Sequence, residues 1–167
     1  GEDEVYLTAE LTPWDANPAA SSYIETQFFN VDSDAITAIV LQNNNGSFNF
    51  AKVNEKWIWE EQAADETLDD TALNRFISQV SSVRMIAPLG KERQQAYGLE
   101  QPQATAIIMA EIDGAVHEYV LRLGAEREGN FVFSASGAEY IVTVSEYTAG
   151  NLIDKIHADF VEALPEE

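Results

Sequence analysis

The side chains that could do chemistry here are two histidines, many carboxylates and three tryptophans, and there is no cysteine. The missing thiol removes disulfides, thiolate nucleophiles and zinc–thiolate sites together. A serine hydrolase needs a nucleophile turn and a base, yet no Gly-x-Ser-x-Gly occurs and only His117 and His157 could act as base. Neither belongs to a His-Glu-x-x-His, so a metal would have to be held by oxygen ligands. Asp32-Ser33-Asp34 and the acids Glu60, Glu61, Asp65, Glu66, Asp69 and Asp70 are the local sources of such oxygens. Neither stretch has the glycine and terminal glutamate of an EF-hand loop. The glycines never stand two apart, so no Gly-x-Gly phosphate turn can form. Trp14, Trp57 and Trp59 could line a ligand surface, against the alternative that large aromatics in a sheet serve as core.

Nine basic residues against 29 acidic ones leave the chain at −20, which repels phosphate backbones and anionic lipid headgroups. Nucleic acid and direct insertion into a bilayer are therefore not expected. No apolar run reaches the ~18 residues of a membrane helix. The chain opens at Gly1-Glu2-Asp3-Glu4 rather than at Met, and we read it as a segment whose native N-terminus, carrying an anchor, lies upstream.

Elements must position these groups, and the length of 167 residues fits one domain with a sizeable core. Residues 5–9 alternate as an edge strand would, Pro13 and Pro18 bound a loop holding Trp14, and Ser21–Phe29 fits a short amphipathic helix. Ile36–Leu41 is β-branched and reads as a strand, Asn45-Gly46 as a hairpin turn, and Phe48 and Phe50 as the inward positions of the return strand. Asn45-Gly46-Ser47 also matches a glycosylation acceptor, which the turn explains better. Lys56–Glu60 forms a third strand with both tryptophans on one face. Asp69 or Asp70 caps a helix whose Leu73, Phe76, Ile77 and Val80 make one apolar stripe.

Pro88 and Gly90 break the chain, 91–97 reads as a short helix, and Gly98 suits a left-handed stop. Strands follow at 104–112, 116–123, 130–135 and 138–144. Ser145 then caps a last helix with the stripe Leu152, Ile153, Ile156 and Phe160. Shifted by 68 residues, Thr37–Leu41 falls on Thr105–Met109 and Asn45-Gly46 on Asp113-Gly114. The expectation is a single α+β domain over 1–167: antiparallel sheet with helices packed on its faces, in two related β-β-β-α-like halves. Those halves span about 5–87 and 97–161, with 88–102 as linker and turn.

Several of these residues together resemble the domain-of-unknown-function family numbered 4340. They are Ile36 with Ile39-Val40-Leu41, Lys52 with Trp57-Ile58-Trp59, Ala64-Asp65, Tyr97-Gly98-Leu99-Glu100-Gln101-Pro102, Leu121-Arg122-Leu123-Gly124 and Tyr140–Val144. The resemblance implies an extracytoplasmic module, in the periplasm or at the cell surface, of a membrane-anchored bacterial protein; some relatives are linked with ABC-transport or gliding-motility assemblies. It carries over no catalytic residue and no cofactor. Physically, Gly98 permits a helix stop, Leu99 anchors a turn and Pro102 opens a strand. The functional expectation is a non-catalytic interaction module with a protein partner in the cell envelope. The alternative is a small-ligand or calcium-binding domain using the acidic segment 60–70.

Overall fold

In this computed structural model, residues 26–162 are described. The strand at 5–9, the Pro13–Pro18 loop with Trp14, and residues 163–167 lie outside them, as do residues 21–25 of the expected first helix. Twelve regular elements follow in order: β1 (Gln27–Asn30), β2 (Ile36–Asn43), β3 (Gly46–Val53), β4 (Lys56–Trp59), α1 (Asp70–Ser81), β5 (Ser82–Arg84), β6 (Ala87–Gly90), β7 (Ala104–Ile112), β8 (Ala115–Arg127), β9 (Asn130–Ala135), β10 (Ile141–Ser145) and α2 (Glu146–Ile153). Eight strands form one sheet in the order β4-β3-β2-β7-β8-β9-β10-β6, and β1 pairs with β5 in a separate ribbon. Every pairing is antiparallel. This is the α+β fold the sequence implied.

Alternation decides the two faces, because successive side chains of a strand point opposite ways. Ile39 and Leu41 of β2, Phe48 and Phe50 of β3, Ile108 of β7, Leu121 and Leu123 of β8 and Phe133 of β9 share one buried core with Leu73, Phe76, Ile77 and Val80 of α1 and Leu152 of α2. Both helices therefore lie over the same face. Asp69 caps α1 by accepting from the Ala72 N–H at 2.9 Å, and Ser145 caps α2 by accepting from Thr148 N–H at 3.2 Å.

The structure departs from expectation along the chain, and the strand expected at 138–144 begins only at Ile141. Gln27–Asn30 is strand and not helix, because pairing with β5 and ring contacts of Phe28 with Phe133 (6.0 Å) and Phe29 with Tyr119 (5.4 Å) outweigh a weak helical period. Pro88 and Gly90 do not break the chain but lie in β6, the edge strand beside β10, the kind of position where a residue without an N–H is tolerated. Only Gln95–Tyr97 of the 91–97 stretch is helical, as one 3-10 turn. The last helix ends at Ile153, so Ile156 is 46% exposed, while Phe160 is buried from a separate 3-10 turn.

The 68-residue match also meets the pleat. It sets Ile39 and Leu41, which face the helices, against Ile107 and Met109, which face away. A one-residue slip of register inverts a strand's faces, so the sequence match does not mark equivalent positions in the sheet.

Three two-residue hairpins place both central residues at positive φ: Asn54-Glu55 (50° and 64°), Asp113-Gly114 (52° and 76°) and Glu128-Gly129 (53° and 79°). The Asn44-Asn45 turn does not, and its one positive φ falls on Gly46 at 148°. Asn44-Asn45 is instead held by side chains. Asn43 accepts from Asn45 N–H at 2.8 Å, and both amides donate to the open end of α2: Asn43 to Leu152 O (2.8 Å) and Asn45 to Ile153 O (3.1 Å). Glu55 carries a Cβ in a conformation that only glycine adopts freely, and its contact with Lys52 at 3.9 Å is exposed. Glu55→Gly should raise stability by about 1 kcal/mol in a urea unfolding curve. An unchanged or lower midpoint would contradict this account of the turn.

Candidate functional site

The Tyr97-Gly98-Leu99 turn is built by close backbone approach. Gly98 stands at φ 67° after the 3-10 turn, and a Cβ there would meet Ala125 N at 3.0 Å. At Gly124 a Cβ would lie 2.0 Å from the Tyr97 carbonyl oxygen, so no other residue fits without moving the turn. Gly124 follows Leu123, where the β8–β9 register shifts, and from the β7 side Gln103 donates to Gly124 O at 2.6 Å and to Leu123 O from its backbone at 2.8 Å. The Tyr-Gly-Leu and Leu-Gly motifs are thus two sides of one contact. Tyr97 and Leu99 bury themselves on Val132 and Ile141 over the face of the sheet opposite the helices. Pro102 ends two residues before β7 and is not its first residue.

Beyond that plug, among the described residues, the same face carries apolar side chains that are half-buried or exposed. Ile58, Ala51, Ala38 and Met109 stand opposite one another across β4, β3, β2 and β7. Val40, Ile107 and Val120 form a parallel row beside them. None belongs to either buried cluster, and Ile58 is 48% exposed.

The tryptophans divide. Trp59 is only 2% exposed and packs on Phe50 (5.6 Å), Phe160 (6.0 Å) and His157 (4.4 Å), so it belongs to the core and not to a ligand surface. Trp57 is half-buried at the rim of a groove between the β3–β4 hairpin and α1. Trp14 lies outside the described residues.

Three of the acids of 60–70, Glu61, Glu66 and Asp69, serve separate structural ends. Glu61 accepts from the backbone and side-chain amide of Asn49, and Asp69 caps α1. Glu66 accepts from Ala63 N–H at 3.0 Å and bonds His157 Nε2 through both oxygens, at 2.9 and 2.8 Å. The Ala63 N–H first, and His157 second, hold its carboxyl below the usual carboxylate range. His157 thereby ties the C-terminal turn to the 63–69 loop, where Leu68 also bridges Val161. His117 lies exposed on β8, its ring stacked 6.5 Å from Tyr119. Asp32 caps the Ser33–Ala35 turn by accepting from Asp34 N–H. Among the described residues no three His, Asp or Glu side chains converge as metal ligands would.

An antiparallel sheet covered by helices on one face and by a short motif plug on the other defines an α+β module. The chain belongs to the family described as Domain of unknown function (DUF4340), which it matches over residues 1–102. The match closes on Pro102 and so takes in Tyr97-Gly98-Leu99, whereas Gly124, its partner in space, lies past it. No curated protein matches the chain, and no solved structure does.

Gly124→Ala should cost at least about 2 kcal/mol in chemical denaturation, as forced overpacking against backbone does; a loss within experimental error would mean that the turn yields freely. Glu66 contributes stability above its unfolded pKa and loses it as pH falls through its lowered folded value. Glu66→Gln should therefore be less stable than wild type at neutral pH, with the gap closing in acid. A gap that is constant with pH would exclude the ionised carboxylate as its source.

Proposed function

We propose that this domain is a non-catalytic, extracytoplasmic interaction module of a membrane-anchored bacterial protein, auxiliary to an envelope or transport assembly, and that it docks a protein partner on the open face of its sheet. The observation that carries this reading is the double apolar row Ile58-Ala51-Ala38-Met109 and Val40-Ile107-Val120. Apolar surface gathered on one face is what a protein partner buries, and a contiguous patch of this kind is unusual on a chain otherwise rich in carboxylates. The formal charge of −20 favours a protein over an anionic bilayer or nucleic acid at that face. We also read the two halves as related, since β2-β3-β4 and β7-β8-β9 run outward in turn from one seam. That equivalence rests on strand order and not on the 68-residue match.

Val40→Lys with Ile107→Lys places two charges in the centre of the rows on side chains that neither core uses. In affinity capture from detergent-solubilised envelope, wild type should enrich a defined partner, and the double variant, which puts like charges directly opposite and so melts lower while remaining folded at the capture temperature, should lose about tenfold or more of it. Tyr147→Ala on α2, where the ring is 74% exposed, should keep the partner. Equal capture by the open-face variant would sink the assignment of the surface, and no enrichment by wild type would sink the module.

A further inference from the structure

On the opposite side of the molecule, the face that carries α1, two adjoining cavities of about 420 and 240 Å³ share Lys52, Trp57 and Asn74 and so form one groove. One wall is α1. Its apolar stripe enters the core, and Asp70, Asn74 and Ser78, spaced four apart, make a hydrogen-bonding stripe along the groove. That stripe is ~12 Å long at the helical rise. The other wall is the β3–β4 hairpin, whose half-buried Trp57 packs against the core at one side and has Lys52 Nζ over its ring, 5.8 Å from the centroid. Ser33 and Asp34 close one end. Of the acids in 60–70, Asp70 alone lines this groove.

The groove is lined by Lys52 and Lys56 together with Asp34, Glu55 and Asp70, much closer to balance than the molecule's −20. An anion meets three carboxylates there and a cation meets two ammonium groups, so neither is selected by charge. Lys52 and Asn74 supply donors, and Asp34, Asp70 and Asn74 acceptors, in a groove that also holds one aromatic ring. Hydroxyl groups both donate and accept, and the C–H face of a pyranose ring is apolar enough to lie on indole. We propose that this groove is a binding site for a neutral saccharide, stacked on Trp57 and hydrogen-bonded by the Asp70–Asn74–Ser78 stripe. The site lies on the face opposite the proposed docking rows.

The test is ¹⁵N-edited NMR of the whole chain titrated with chitotriose, cellotriose and maltotriose, with trigalacturonate as the charged comparison. At least one neutral trisaccharide should shift the Trp57 indole and the Asn74 signals saturably at millimolar concentration, leaving Trp59 in place. Trp57→Ala should weaken binding about tenfold or more, and Trp57→Phe should keep most of it. Asp70→Asn, a substitution of an exposed side chain, gives a second reading should Trp57→Ala fail to fold, and it too should weaken binding. Absence of localised shifts with every neutral sugar, shifts that persist in Trp57→Ala, or shifts with trigalacturonate alone would each overturn the proposal.

Discussion

The pairing of β2 with β7 is the constraint on which the rest of the structure depends. Ile39 lies opposite Ile108, and Val40 opposite Ile107, across some seventy residues of chain. This seam joins two hairpin systems, each local in sequence, into one sheet. Its register is held by burial: a slip of one residue would turn Ile39 and Leu41 out of the core and Val40 into it. The helices follow from it, because both apolar stripes must reach the same inward side chains. The two outer strands, β4 and β6, are each four residues long, which limits the free edges available for unintended pairing.

Once both helices occupy one face, the other must be covered by something else or left open. The Tyr97–Leu99 plug covers only the end over β9 and β10. Its position depends on Gly124, since any side chain there would collide with the Tyr97 carbonyl. Among the described residues, the long middle of the face keeps apolar side chains that belong to neither buried cluster. The groove beside α1 and the apolar rows are thus set by one geometric choice, which puts a polar, aromatic recess and rows of apolar side chains on opposite sides of the sheet.

The C-terminal segment is closed by packing more than by charge. Phe160 stands 4.8 Å from Phe50, 5.5 Å from Phe48 and 5.5 Å from Phe76, fully inside the core. Truncating a buried ring of this kind typically costs about 3–5 kcal/mol. The His157–Glu66 pair above it is exposed and screened, so it orients the turn rather than holding it.

Local chemistry was enough to read β7 at 104–112 and β9 at 130–135, the α1 stripe from Leu73 to Val80, the cap at Ser145, and a cap at Asp69 or Asp70, of which the structure uses Asp69. These depend on alternation, on a 3.6-residue period and on capping oxygens, all of which lie within a few residues of the sites they determine. The same local reading nominated Trp57 and Trp59 together as a surface, but only burial against Phe50 and Phe160 separates the one from the other. Tertiary contact alone decided that Gln27–Asn30 is a strand, that Pro88 sits on an edge, and that Phe160 enters the core after the helix has ended. It also decided that Gly124 must meet Tyr97 and that Val40, Ile107 and Met109 face outward. Each of these depends on a partner distant in sequence, and a periodic pattern shows that a face will be buried without saying which partner will cover it.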